Sequence, residues 1–154
     1  MTAPAAPPAV PRPAASVLLV RPAARVPVEV YMIRRQKSMR FLGGFYAFPG
    51  GKVEPTDASP AALARCYGVS AGTALAAFPE AEGIPPLAYW VTAARELVEE
   101  TGLLVGCDGE GRPVDTQDSA TRERIEGVRH ALAADAGVFP GLLEREGWYL
   151  DLGP

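Results

Sequence analysis

The order of apolar and polar residues predicts two strands and a glycine-rich loop in the first third of the chain. Apolar residues that favour β-structure dominate residues 16–20 and 28–35, and the turn-rich sequence RPAARVP joins these predicted strands. Along the second strand, alternate residues from Val28 onwards are apolar, so one face is apolar and the other is mixed. Residues 39–57 then place aromatic residues between glycines. This composition indicates a loop whose backbone approaches another group closely.

The next segment, residues 58–86, is rich in alanine and predicts a small helical unit. Ser59 is a suitable N-cap for a first short helix, which Gly68 would end. Ser70 is a suitable N-cap for a second short helix, which Pro79 would stop. We therefore expect two short helices, connected by turns, in this segment.

The remainder of the chain predicts helices and two short strands. The spacing of apolar residues predicts the main helix over residues 87–101, with Trp90 on its apolar face and Gly102 as the glycine that ends it. The elements predicted after this helix are a strand at 103–107, a helix at 119–135 with Ile125, Val128 and Leu132 as its apolar stripe, a helical turn at 141–146 and a strand at 148–152.

Length, composition and charge narrow the class of protein. The chain has 154 residues, which fits one domain with a hydrophobic core. Residues 1–15 are rich in proline and alanine and predict a flexible tail, which leaves residues 16–154 as the domain. A net charge of −3 without a run of basic residues argues against a nucleic-acid partner, and the apolar stretches are too short to cross a membrane. Two widely separated cysteines fit reduced thiols in a cytoplasmic protein.

The sequence RELVEETG places three glutamates, Glu96, Glu99 and Glu100, near the end of the main predicted helix. Glutamates three and four residues apart repel, and each charge beside the negative end of the helix dipole costs roughly 0.3–1 kcal/mol. Arg95 can offset one of these charges through an i,i+4 contact with Glu99, but not all three. A solvated acidic face is one interpretation of this cluster. A bound divalent cation is the other, because Mg²⁺ and Mn²⁺ prefer oxygen ligands and would turn the repulsion into affinity.

The sequence FPGGKVEPTD, residues 48–57, favours the second interpretation. Its paired glycines allow the backbone to approach a metal ion or a phosphate. It is not a P-loop, because Val53 stands in place of the Ser or Thr and Tyr46 in place of the first glycine.

These two segments together resemble the signature of the Nudix hydrolases. That signature is a glycine, five residues, a glutamate, seven residues, and then Arg-Glu-hydrophobic-x-Glu-Glu-x-Gly-hydrophobic, which Gly51 begins and RELVEETGL completes. Asp57 stands where the first glutamate is expected. Between Asp57 and Arg95 lie 37 residues instead of seven. Such an insertion, and the sequence of residues 31–51, are similar to the Nudix subgroup that contains the peroxisomal acyl-CoA diphosphatases.

The resemblance implies an α+β fold, an α/β/α sandwich with a mixed sheet between helices and a helical insertion at 58–86. It implies hydrolysis of a diphosphate linked to a nucleoside, with Mg²⁺ or Mn²⁺ as cofactor and a small nucleoside diphosphate derivative as substrate. Glu96 would be a metal ligand or the base that orients the attacking water, and Arg95 would hold the glutamates in place. The implied metal ligands are Glu96, Glu99, Glu100 and the carbonyl oxygen of Gly50, and the implied catalytic residues are Arg95, Glu96 and Glu99.

Residues outside the signature have weaker signals. Four basic residues could meet substrate phosphates or form an ordinary solvated loop, and Phe48 could line a base or pantetheine pocket or anchor its loop. His130, on a predicted amphipathic helix, fits a structural position at or near the surface. The substrate could be CoA or acyl-CoA, or else ADP-ribose, another sugar nucleotide or a dinucleoside polyphosphate, and a non-catalytic nucleotide-binding module is the alternative from another class. The four basic residues are Arg34, Arg35, Lys37 and Arg40.

The resemblance also implies that strands normally following the signature lie beyond Pro154. About 50 residues follow Gly102, and they are predicted to be largely helical. We therefore expect a fold truncated at its C-terminus, with an unpaired sheet edge, an exposed apolar face and a possible homodimer.

Overall fold

The computed structural model describes residues 11–38, 42–79 and 83–153. Within these ranges, no helix combines the length and the hydropathy that a membrane span requires. The strands are Ala14–Ser16 (β1), Val20–Pro22 (β2), Val28–Val30 (β3), Ile33–Arg34 (β4), Tyr46–Ala47 (β5), Gly50–Lys52 (β6), Cys66–Tyr67 (β7), Gly106–Cys107 (β8) and Tyr149–Asp151 (β9). The helices are Pro60–Leu63 (α1), Ala71–Ala77 (α2), Leu87–Thr101 (α3), Ser119–Ala134 (α4) and Phe139–Glu146 (α5), with 3-10 turns at Pro55–Ala58 and Ala136–Val138.

The long helix α3 lies at the centre of the domain and has the predicted bounds. Gly102 ends it in the left-handed conformation (φ 73°), as its sequence position predicts. The core forms between α3, α4 and α5, and the predicted α4 stripe of Ile125, Val128 and Leu132 is buried in it. Trp90 is a correction to the sequence analysis, because its side chain is partly exposed and the adjacent residue, Val91, is buried instead.

The strands form four small sheets, three of which are antiparallel pairs: β1 with β6, β2 with β3, and β4 with β5. The fourth sheet has the order β7-β9-β8 and is mixed, because β9 is parallel to β7 and antiparallel to β8. The α+β class and the mixed pairing are therefore as expected, while the described residues divide their strands among separate sheets.

Several predicted strand bounds were wrong. The strand predicted at 16–20 is two strands, β1 and β2, so strand structure begins at Ala14, inside the predicted tail. The strand predicted at 28–35 divides into β3 and β4, and the predicted loop contains β5 and β6. These strands are only two or three residues long, so their bounds depend on the partner strand more than on the local pattern.

The inserted segment is more than two helices. Ser59 and Ser70 cap α1 and α2 as predicted, each hydroxyl accepting a hydrogen bond from a backbone amide in the first turn. Between them lies β7, which the sequence analysis missed and which pairs with β9 near the C-terminus. Ala62 and Ala74 are fully buried. The insertion is therefore part of the core.

The β2–β3 hairpin presents its apolar face to solvent. Val28 and Val30 are 53% and 43% exposed, although alternation had predicted one cleanly apolar face. On the opposite face Arg21 and Glu29 form an ion pair at 2.7 Å. Residues of both faces line an open cavity of about 360 Å³ that reaches Leu103. Among the described residues, the core between the helices lies elsewhere, so this apolar face packs against none of it.

Candidate active site

The paired glycines of β6 lie against the glutamate-rich end of α3. The amide N–H of Gly50 donates a hydrogen bond of 2.8 Å to Oε2 of Glu100. A Cβ atom added to Gly51 would overlap the carboxylate of Glu96. The two halves of the signature therefore lie together despite the insertion, with the glycines in contact with Glu100 and Glu96 on either side of the predicted partner, Glu99.

Arg95 connects the carboxylates although its side chain is 1% exposed. Its Nη1 donates to Oε1 of Glu96 at 2.9 Å and to Oε2 of Glu99 at 3.3 Å. Its Nη2 donates to the carbonyl oxygen of Lys52 at 3.0 Å, which ties α3 to β6. The predicted i,i+4 pair with Glu99 is thus present, and the guanidinium holds both glutamates from below the surface rather than meeting substrate.

Asp57 occupies the position of the expected glutamate and is fully buried. Arg95 binds it through two atoms, with Nε to Oδ1 at 3.0 Å and Nη2 to Oδ2 at 3.0 Å. The amide of Glu54 and the hydroxyl of Thr92 also donate to Oδ2, at 3.0 and 2.8 Å. This side of the arginine therefore has a fixed anionic partner, and the shorter carboxylate is accommodated.

Burial disfavours the ionised form of two of the glutamates, Glu96 and Glu100. It raises the pKa of Glu96 above the usual value, an effect that Arg95 opposes and that the charges of Glu99 and Glu100 reinforce. Burial likewise raises the pKa of Glu100, while the Gly50 amide and the charge of Arg35 lower it. A cation placed among these carboxylates would remove much of the cost of ionising them.

The donor set fits a hard divalent cation. Carboxylate oxygens of Glu96, Glu99 and Glu100, and the backbone carbonyl of Gly50, whose amide contacts Glu100, are the ligand types that Mg²⁺ and Mn²⁺ accept. As the side chains lie, no group of three acidic, histidine or cysteine residues in the described ranges is arranged to hold an ion. Arg95 and the Gly50 amide engage the same oxygens instead. A cation would therefore compete with these two donors for the carboxylates.

The basic residues predicted to bind substrate phosphates have different surroundings. The charge of Arg35 acts on Glu100, and its buried Nε has no hydrogen-bond partner in the described structure. Arg34 lies on the β4–β5 hairpin, where its Nε donates to the Gly44 carbonyl at 3.3 Å and its guanidinium lies over the Tyr46 ring. Arg35 thus acts on the site through its charge alone, while Arg34 is used within the hairpin.

The other predicted positions are less informative. Lys37 is exposed, with its Cγ beside Gly44, and Arg40 lies outside the described residues. Phe48 is 37% exposed and directly follows β5, so it remains a candidate for contact with substrate. His130 is on the exposed side of α4, 3.4 Å from Glu126, as a structural surface residue should be.

Sequence reasoning missed three groups that build the site: the carboxylate of Asp57 as the anchor of Arg95, the hydroxyl of Thr92 and the carbonyl of Lys52. Thr92 lies three residues before Arg95, so helical spacing could have placed both side chains on one face of α3. Nothing in the local pattern could have shown the other two contacts, because they join segments about 40 residues apart.

A comparison with solved structures finds a similar chain, the crystal structure of a NUDIX hydrolase from Alicyclobacillus acidocaldarius. The two are 38% identical with a TM-score of 0.62, and the match covers 92% of this chain and 57% of that chain. This chain therefore spans little more than half the length of that protein. No protein-family model matches the chain, and neither does any curated protein.

The fold and the site thus define an α+β protein with the Nudix fold, in which the two halves of the signature meet between β6 and α3. In its fold and in the residues of its signature, the chain is similar to this member of the Nudix hydrolase family. The resemblance to the acyl-CoA diphosphatases within that family stays a prediction.

Proposed function

We propose that this domain hydrolyses the diphosphate linkage of a nucleoside diphosphate derivative with the help of a divalent cation, Mg²⁺ or Mn²⁺. The observation that supports this most directly is the contact of Gly50 and Gly51 with Glu100 and Glu96. The backbone of these glycines thus lies beside two carboxylates whose ionised form is disfavoured by burial. This arrangement suits a polyanionic substrate bound through a cation.

The residues of the site would have different roles in this reaction. A bound divalent cation would neutralise diphosphate oxygens and lower the pKa of a water molecule. Glu96, Glu99 and Glu100 would hold that cation, and Glu96 would also accept a proton from the attacking water. Arg95 fixes Glu96 and Glu99, while Arg35 brings a positive charge to the edge of the site, where a substrate phosphate would lie.

The identity of the group linked to the diphosphate decides which substrate is hydrolysed. We favour CoA or acyl-CoA, because the insertion and the sequence of residues 31–51 are similar to the acyl-CoA diphosphatase subgroup. ADP-ribose, other sugar nucleotides and dinucleoside polyphosphates are the alternatives within the same chemistry. The cytoplasmic location also remains a prediction, which rests on two cysteines that are both free thiols.

A substrate screen with a matched pair of variants tests the proposal. The screen would follow release of phosphate or nucleotide from CoA, acyl-CoA, ADP-ribose and dinucleoside polyphosphates, with Mg²⁺, Mn²⁺ or chelator. We expect Glu99→Gln to reduce kcat by at least about 10–100-fold, which is the loss typical when only a residue that supports a metal ligand is changed. Glu123→Gln, an exposed glutamate on α4, is the control and should leave kcat unchanged.

Two outcomes would count against the proposal. Full turnover in Glu99→Gln, or turnover that survives chelation, would refute the metal site. Tight nucleotide binding without any turnover, in the presence of either metal, would instead support a non-catalytic binding module.

A further inference from the structure

Thr92 is a fully buried polar residue that the signature does not include. It lies on α3, one turn before Arg95, and its exposed fraction is 0%. Its Oγ1 is 2.8 Å from Oδ2 of Asp57 and 2.9 Å from the carbonyl oxygen of Ala88. A hydroxyl has a single proton to donate, so these two acceptors compete for it.

The carboxylate of Asp57 is the stronger of the two acceptors. Hydrogen bonds to an ionised acceptor are shorter and roughly twice as strong as neutral ones. The carbonyl of Ala88, by contrast, faces a hydroxyl that follows it by one helical turn, a weak interaction that helices can lose. Asp57 is itself fully buried, so water cannot replace a donor that is removed.

The orientation of the Asp57 carboxylate affects that of the glutamates through the guanidinium of Arg95. Arg95 meets Asp57 through Nε and Nη2, and it meets Glu96 and Glu99 through Nη1. A guanidinium is planar and rigid, so a rotation of its Asp57 side moves Nη1 as well. The hydroxyl of Thr92 is thus two contacts away from the carboxylates of the site.

We propose that Thr92 is a positioning residue of the active site, whose hydroxyl fixes the carboxylate of Asp57 and thereby orients Arg95, Glu96 and Glu99. An aspartate at this position is one methylene shorter than a glutamate, and the threonine on the facing turn of α3 supplies a donor where that carboxylate ends. This role rests on the proposed metal-dependent function, although the hydrogen-bond network itself does not.

The test compares Thr92→Val, which removes the hydroxyl and keeps the shape, with Thr92→Ser, which keeps the hydroxyl. The first measurement follows solvent exchange of the Arg95 Nε–H by NMR in the metal-free protein, because this proton is donated to Asp57. The second measures Mn²⁺ affinity. In Thr92→Val we expect the Arg95 Nε–H to exchange about tenfold faster, and Mn²⁺ to bind about tenfold more weakly, than in the unchanged protein. In Thr92→Ser both the exchange rate and the Mn²⁺ affinity should stay within about twofold of those of the unchanged protein.

Thr101→Val is the matched control, because Thr101 is also on α3 but its hydroxyl donates to the carbonyl of Leu97, at 2.6 Å. It should leave the Arg95 exchange rate unchanged. The proposal is overturned if Thr92→Val leaves the Arg95 exchange rate unchanged, or if Thr92→Ser is as impaired as Thr92→Val. If the unchanged protein binds no Mn²⁺, the proposed function fails, and the Arg95 exchange rates still decide the role of Thr92.

Discussion

The glycines at positions 50 and 51 are required by two different neighbours. Gly50 has φ 155°, and a Cβ atom on it would overlap the Ala15 carbonyl and lie 2.7 Å from the Cα of Ser16. Its constraint comes from the backbone of β1. Gly51 meets the end of the Glu96 side chain instead, so its constraint comes from the site.

This difference predicts different results for the two alanine variants. In Gly51→Ala the Glu96 carboxylate can swing away, so we expect the unfolding free energy to change by less than about 0.5 kcal/mol. The displaced carboxylate should reduce kcat by about tenfold or more, as loss of supporting contacts commonly does. Gly50→Ala must move backbone, so it should lower the unfolding free energy by at least about 1–2 kcal/mol. Urea denaturation and steady-state kinetics measure both effects.

The reverse pattern would contradict this reading of the loop. If Gly51→Ala unfolds the protein but Gly50→Ala does not, the two glycines have been assigned to the wrong neighbours. If neither variant changes kcat, the contact between Gly51 and Glu96 has no functional meaning.

At the scale of elements, the insertion is held by pairing that the sequence does not show. The carbonyl of Tyr67 accepts a hydrogen bond of 3.0 Å from Leu152, and that of Arg65 accepts one of 2.7 Å from Leu150. Gly68 follows directly in the left-handed conformation (φ 79°), and a Cβ atom on it would lie 2.7 Å from the backbone of Gly153. The insertion and the C-terminal strand therefore stabilise each other.

Gly68→Ala tests this coupling. The strained φ and the overlap with the Gly153 backbone should lower the unfolding free energy by about 1–3 kcal/mol, measured by urea denaturation. Gly72→Ala is the control within the same insertion, because Gly72 is helical and its Cβ would meet a single side-chain atom at 3.7 Å. It should be neutral or stabilising by up to about 1 kcal/mol. Equal stability of both variants would mean that the insertion is an independent excursion.

The elements also show what a single sequence can predict. The helix α3 was predicted to the residue, because 15 residues repeat one apolar face and Gly102 ends it. The strand β7 was missed because its two residues have no pattern of their own, and β9, about 80 residues away, determines their pairing. Trp90 was misplaced because the spacing of apolar residues does not distinguish it from the adjacent Val91, which is the one that is buried.

The same distinction applies to the site. Glu96, Glu99, Glu100 and Arg95 could be identified because the signature is local and dense in charge. The bonds from Arg95 to Asp57 and to the carbonyl of Lys52 could not be predicted, since they depend on how β6 packs across α3.

At the scale of the whole molecule, the exposed apolar face of the β2–β3 hairpin is the feature that most favours association with another chain. The side chains that extend it along the same segment, Leu18, Val20 and Met32, are 61%, 61% and 40% exposed. Each strand of the hairpin also has an outer edge that is unpaired within the described ranges. Contiguous apolar surface and open strand edges both favour association with another chain.

We therefore predict that this chain self-associates through the hairpin. Sedimentation velocity should show an average mass that rises with concentration. Val28→Thr combined with Val30→Thr should weaken this association, because threonine keeps the β-branched shape and removes apolar surface. Since both side chains are about half exposed, the double variant should change the unfolding free energy by less than about 1 kcal/mol. Leu75→Gln, which removes an exposed leucine from α2, should leave the association unchanged. A chain that stays monomeric at every concentration, or one that associates equally well without the two valines, would show that this apolar face has no role in pairing with a second copy.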